Sequence, residues 1–494
     1  MSVVKEARIS LLVAEENRNE EIGSSASVLK QQTGGWKASS LILFIELCQC
    51  AALSGITKNL VVYLKEELLE DNVVAATHVS TWTGTCFLTT LMGAYVSDSY
   101  WGNYSTVCGF WIIYLSGLVI LTTSASLSIL KHAPFFTCLG LYMISLGAGS
   151  IKPCLSTFGA DQFGNTDRRA KASFFSWYYL SVRVAALFAS TVIVWIQDNY
   201  GWTIGFGIPT LLAGIAFTVL MAGSRYYSFL DKAAIVSTSD FSCSGVLNPW
   251  RLCTMSQVKE LKSVLRLLPI WATFILFSSV STQESSVFVE QAMVMDRRFG
   301  SINIPPASLS SFSVLAIVVF APIYDKIVVP VACKFTKTEG GLPHLQRSGI
   351  GLLFSILAIS TVAIVETKRL QIARDEGLMH QNVPVPMSIF WQIPQHVIIG
   401  IGEVFAQIGM LEFFYDQAPN SMRSLSMALA LLTISLGSYV TSFILTVVNR
   451  VTGWIPENLN QGHLDRFFWL VSGLCLFNQV MFVYCASRYR YKKK

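Results

Sequence analysis

The chain has 494 residues, of which 52% are hydrophobic and only 13% charged, with a formal net charge of +6. A soluble protein of this length lacks the polar surface to cover so much apolar side chain, so a water-soluble globular fold is excluded. The mean hydropathy of +0.51 and apolar runs of about 20 residues, enough to cross roughly 30 Å of hydrocarbon, define an all-α membrane protein.

Residues 1–38 precede the first run. They include the acid-rich "VAEENRNEEIGSSAS" and lack the basic start and short apolar core of a secretory signal, so they read as a disordered cytosolic tail. Within them "EARISLL" is a loose dileucine-type sorting stretch, for which an ordinary flexible tail is the plainer reading. Six candidate spans follow at approximately 40–64, 74–97, 104–124, 134–157, 173–198 and 203–223, forming a first unit over 39–223. A cytosolic loop at 224–260 separates them from six more at 261–290, 308–331, 345–366, 387–413, 424–449 and 465–487, a second unit over 261–487. A basic tail, 488–494, ends the chain. Lysine and arginine cluster in the Arg168–Lys171 loop, the central loop, the Lys326–Arg347 loop and the terminal "RYRYKKK". The positive-inside rule then places both termini in the cytosol.

Twelve spans in two six-helix bundles suggest a transporter of the major facilitator fold, with its site at the midplane between the bundles. A twelve-helix channel or receptor fits the same count. The eleven cysteines and six histidines show no CxxC pair or Cys/His cluster, so no metal, cofactor or disulfide framework is expected. His396 alone lies well inside a span and reads as a hydrogen-bonded structural residue.

A charge inside the bilayer costs several kcal/mol and needs a reason. The candidates are Glu46 in span 1, Lys152 in span 4, Arg183 in span 5, Glu284 and Glu290 in span 7, and Glu403 and Glu412 in span 10. Depth along the spans brings Glu46, Lys152 and Glu412 to one level, so Lys152 is expected to meet Glu412 and Glu46. Such a pair either works in transport or statically fixes helix packing. Lys152 sits in "SLGAGSIKP", which reads as a helix closely approached or locally irregular and facing a cavity. Arg183 is too deep to snorkel and must face carboxylates, an anion or water. Glu284, in "SVSTQESSVF", is expected on a wetted helix face, and Glu290 at the exposed outer interface.

The longer motifs carry a resemblance. "GAYVSDSYWGNY" (Gly93–Tyr104) resembles the major facilitator signature between spans 2 and 3. "GAGSIKPCLSTFGADQF", "FFSWYYLS", "IPPASLSSF" and "FWQIPQHVIIGIGEVFAQIGMLEFFYDQAPNSMRSL" resemble the plant nitrate/peptide transporter family, also called proton-dependent oligopeptide transporters. The resemblance implies alternating access around a central cavity and, usually, proton coupling. It assigns coupling to a Glu-x-x-Glu-Arg/Lys motif on span 1, with Lys152 and Glu412 matching the family's span 4 lysine and span 10 glutamate. Asp98, Asp161 and Arg423, within these motifs, carry over as gate or structural residues.

This chain departs from the pattern on span 1. Glu46 matches the first acid, but Gln49 stands at the second and Cys50 at the base, so two members of the proton site are neutral. Arg183 stands near a usual asparagine, and Glu284 adds a carboxylate opposite it where the family is commonly apolar. Asn103 replaces a usual arginine, and Ser281 occupies a region where nitrate-selective members can carry histidine.

The expected function is transport of a small solute (nitrate, a peptide, a glucoside or a hormone-like organic anion) with coupling weakened or rewired. Within this class, coupling can instead persist on Glu46, Glu284 or Glu412. The alternative is a ligand sensor of the same fold. No enzymatic nucleophile–base pair or phosphate loop is present, and no nucleic-acid partner is expected. The partners are the lipid bilayer, a substrate and, where coupling survives, protons. The plasma membrane and the vacuolar membrane fit equally.

Overall fold

The computed structural model describes residues 35–127, 134–163, 168–225, 227, 265–336, 342–417 and 423–489. The dileucine-type stretch, most of the central loop and the terminal lysines lie outside them.

Helices occupy all twelve expected positions. Spans 1 to 4 are Gly35–Glu66, Asn72–Val96, Gly102–Ser126 and Pro134–Asp161. Span 5 runs from Arg168–Phe188 through a π turn, Ala189–Ile193, into Val194–Tyr200, and span 6 is Trp202–Ala222. Span 7 is Leu268–Gln283, broken before Val287–Met293; span 8 is Ser311–Ile323, a π turn at Tyr324–Val328, and Val329–Thr336. Spans 9 to 12 are His344–Asp375, Ile393–Gln417, Arg423–Thr452 and Leu464–Arg488.

Among the described residues, ten of these are long and apolar enough to cross a membrane on their own. The other two are span 2, which is rich in threonine, and span 7, which its break divides. Spans 1–6 share one large apolar core, and most of the apolar packing of spans 7–12 lies in three separate clusters. This two-bundle helical architecture is the major facilitator fold.

Close backbone approach holds the first bundle. A Cβ on Gly93 would collide with the backbone of Ser150, and one on Gly149 with Thr89 and the Cys86 carbonyl. Small residues at such crossings let helices gain van der Waals contact where lipid offers no hydrophobic drive. Of the two alternatives expected around Lys152, the structure shows close approach, and the helix continues through Pro153.

At the end of the molecule away from the termini, four short strands extend the helical plan. Met295–Asp296 pairs in parallel with Val385–Ser388, and Arg298–Phe299 forms a hairpin with Ile302–Asn303. Beneath the parallel pair, span 9 runs on past its expected end at 366. It buries Glu366 and Arg369 completely, with Arg369 Nη2 2.7 Å from Glu366 Oε1.

The two bundles meet on one side of the midplane. Asn72 Nδ2 donates to the carbonyls of Pro456 and Glu457 at 2.8 and 2.9 Å. The hydroxyls of Thr81 and Ser442, of Thr85 and Tyr439, and of Ser190 and Ser311 lie 3.0, 3.0 and 2.9 Å apart. Among the described residues, side-chain hydrogen bonds and ion pairs between the bundles lie from the midplane outward, away from the termini. The contacts therefore close the outer side of the seam.

Candidate functional site

Between the bundles lies a cavity of about 510 Å³, walled by spans of both halves. Span 1 contributes Glu46 and Cys50, span 4 Lys152, span 5 Arg183 and span 10 Glu403, while Ser281 and Ser285 of span 7 form part of the opposite wall. Glu46, Cys50, Lys152, Arg183 and Glu403 lie within their helices, whereas Ser281 is near the end of the first span 7 segment and Ser285 is in its break.

On span 1, Cys50 Sγ donates to Glu46 Oε1 at 3.1 Å, one turn away, and lies 3.6 Å from Gln49 Oε1. Gln49 is fully buried and does not line the cavity. Neighbouring Lys152 extends over the ring of Phe87, 5.0 Å from its centroid. Among the described residues no carboxylate lies within ion-pair distance of Lys152.

That corrects the pairing expected from depth. Glu412 instead meets Arg347 Nη1 at 3.0 Å and His344 Nδ1 at 3.3 Å. Arg347 is itself held 4.2 Å over the Tyr324 ring. Glu412 thus latches the ends of spans 9 and 10 on the termini-bearing side, and it does not line the cavity. Depth placed it correctly along span 10 but said nothing of which side of the helix it occupies.

Arg183 faces a carboxylate, as expected, but the acid is Glu403 rather than Glu284. Its Nη1 lies 3.6 Å from Glu403 Oε2 across the seam, and the guanidinium lies 4.9 Å from the centroid of the Tyr179 ring.

Glu284 forms a separate cluster. It caps the first segment of span 7, where the helix breaks through Ser286 at φ −129°, ψ −93°. One carboxylate oxygen accepts from Ser313 Oγ at 2.5 Å and lies 3.0 Å from His396 Nδ1. The other is 3.6 Å from Lys58 Nζ. Against a carboxylate, His396 Nδ1 must carry the proton. The carboxyl is buried among these partners from spans 1, 8 and 10, not on a wetted face as expected. Glu290 is corrected too: it is 1% exposed, because the break turns Val287–Met293 against span 1.

Asn103 accepts from Ser97 Oγ at 2.6 Å and Thr157 Oγ1 at 3.2 Å, tying the span 2–3 turn to span 4. The side chains of Asp98, Asp161 and Arg423 lie outside the described residues. Among the described residues no group of His, Cys, Asp and Glu could hold a metal. Lys58 is not among the candidates read from the sequence, and His396 is read there as a structural residue. Their signal was the same as for the others: polar groups inside apolar runs, one on each helix that packs on the span 7 break.

A helical membrane protein of two bundles, with charged groups from both around a cavity at their seam, has the architecture of a secondary transporter. The family model for the POT family matches residues 104–247 and 228–460. In Arabidopsis thaliana, the protein NRT1/PTR FAMILY 8.3 is 44% identical, covering 94% of this chain and 93% of its own. NRT1/PTR FAMILY 8.5 of the same plant is 41% identical over 98% and 97%. This chain belongs to that family of transporters, which is not a family of enzymes. The fold is also that of solved structures: an auto inhibited POT family peptide transporter superposes with a TM-score of 0.77 at 22% identity, covering 93% of this chain and 98% of that one. The POT family transporter PepTSo gives 0.76 at 21% identity over 91% and 98%.

Proposed function

We propose that this protein moves a small organic carboxylate, free or within a short peptide, by alternating access, with proton coupling relocated from span 1 to Glu284. The units 39–223 and 261–487 act as the rocking bodies, both termini lie in the cytosol, and the membrane is the plasma or vacuolar membrane. The observation that carries the reading is the Lys58–Glu284 ion pair at 3.6 Å, which ties span 1 to span 7 across the outer seam.

The chemistry follows from charge. Ionised Glu284 attracts Lys58 and holds the outer ends of the bundles together. A proton on that carboxyl removes the attraction, so the open-outward state takes up a proton that the closed state releases. Lys58 and His396 are the titratable or charged groups that face Glu284, with the Arg183–Glu403 pair nearby. On span 1, Gln49 takes no proton in this range and Cys50 carries no positive charge, so Glu46 lacks the partners that the family pattern supplies. In the cavity, Lys152 is a cation that has no carboxylate partner among the described residues, and it suits a substrate carboxylate. Glu403, the acid that would meet a substrate ammonium, is engaged by Arg183.

Uptake of a pooled panel (dipeptides, nitrate, glucosides, organic acids) into expressing oocytes at acid and neutral external pH tests this. Wild type is expected to take up a carboxylate faster at acid pH with inward current, and Glu284→Gln to lose that pH dependence while retaining binding. A pH response kept by Glu284→Gln and lost in Glu46→Gln defeats the relocation. Binding without flux moves the assignment to a ligand sensor.

A further inference from the structure

A second cleft, of about 520 Å³, opens between spans 7 and 12 on the termini-bearing side. Its residues are sorted by depth. Arg266 lies in the exposed turn before the span 7 helix, and Arg488 is the last residue of span 12. Both guanidiniums therefore stand at the membrane boundary. Pro269 and Ile270 lie three and four residues deeper on span 7, and Tyr484 lies one turn deeper on span 12. Arg488 is held over the Tyr484 ring, 4.8 Å from its centroid. Tyr489 closes the end of the cleft, with its hydroxyl donating to Gln417 Oε1 at 3.2 Å and its ring 5.2 Å from that of Phe413. Among the described residues neither arginine has a carboxylate within ion-pair distance.

We propose that this cleft binds the headgroup of an acidic glycerophospholipid from the leaflet on the termini-bearing side. Two guanidiniums at the boundary plane match a phosphodiester, whose oxygens accept from planar N–H donors. The wall below them is apolar and aromatic, and suits the glycerol backbone and first methylenes of the acyl chains. Basic clefts between helices at this level are electrostatic sites for anionic lipid, and each basic side chain there is worth about fivefold in binding. The site is independent of the transport cavity, since it lies on the outside of the second bundle and shares no lining residue with it.

The test is native mass spectrometry of the full-length protein after equilibration with equimolar phosphatidylcholine and phosphatidylserine. Wild type is expected to retain phosphatidylserine preferentially, and Arg266→Gln with Arg488→Gln to lower that retention roughly twenty-five-fold. The matched change Arg450→Gln, on the opposite face, should leave retention unchanged. The double lysine variant keeps the charge and guards against misfolding; it should keep most of the preference. Thermal stability measured in parallel should rise with phosphatidylserine vesicles and not with inorganic phosphate. Equal stabilisation by phosphate would make this a site for soluble anions and overturn the lipid assignment. Unchanged retention in the glutamine pair would also overturn it, as would an equal loss in Arg450→Gln. A several-fold gain of lipid on deleting residues 1–34 would mean that the chain's own acidic segment occupies the cleft, with the same consequence.

Discussion

Under the proposed function, Arg183 and Glu403 decide between them what the cavity offers a substrate. While they hold each other at 3.6 Å, the cavity presents Glu403 engaged by Arg183, and a Lys152 that has no carboxylate within ion-pair distance among the described residues. Arg183→Asn frees the glutamate and restores the polarity suited to an amine-bearing solute. The predicted result is a shift of about tenfold or more in the uptake ratio of dipeptides to simple carboxylates, the scale of one charge-assisted hydrogen bond. An unchanged competition profile would remove Arg183 from substrate choice. At the second cluster, Lys58→Gln leaves a buried carboxylate short of its cation and is expected to cost about 3 kcal/mol. The double variant Lys58→Gln with Glu284→Gln should recover part of that loss in thermal unfolding, because two neutral amides need no counter-charge. Strict additivity would show that the two groups do not interact.

At the scale of helices, two features sort structural from functional charge. The Glu366–Arg369 pair is fully buried, faces no cavity, and is completed by Asn460 and Gln291. It ties span 9 to the Val287–Met293 helix through Gln291 and to the segment before span 12 through Asn460 and the Leu459 carbonyl. Glu366→Gln is therefore expected to destabilise the protein by about 3–5 kcal/mol, with little change in the pH dependence of the remaining transport. Helix crossings set the other limit. Gly93→Val drives a side chain into the backbone of Ser150, whereas Gly207→Val meets open space. Expression followed by size-exclusion chromatography should show loss of monodisperse protein for the first and near-normal yield for the second. Similar yields would mean that spans 2 and 4 can part more easily than their contact implies.

Over the whole molecule, the hydroxyl seam between spans 2 and 11 and the Lys58–Glu284 tie lie on one side of the cavity. Alternating access requires that side to open. Thr81→Cys with Ser442→Cys replaces two hydroxyls 3.0 Å apart, and mild oxidation should join them. Transport is expected to stop on oxidation and return on reduction. Undiminished flux through the cross-linked protein would show that this seam is not the moving boundary. The same view explains why a cavity residue and a latch residue can share a helix. Glu403 and Glu412 are nine positions apart on span 10, and helical rotation turns one toward the other bundle and the other toward span 9.

By itself, the sequence determined the class of protein, the twelve spans and the set of charges that had to be accounted for. The reasons are one-dimensional: hydrocarbon thickness sets the length of each apolar run, and the cost of desolvation makes every charge within a run conspicuous. It also singled out Gln49, Cys50, Arg183 and Glu284 as residues whose role the proposed function has to explain. Only the tertiary structure decided which charge meets which. Arg183 pairs with Glu403 and not Glu284, Glu412 pairs with Arg347 and not Lys152, and Lys58 and His396 converge on Glu284. Those pairings depend on the rotation of each helix about its axis and on the break in span 7, and neither is written in the spacing of apolar residues.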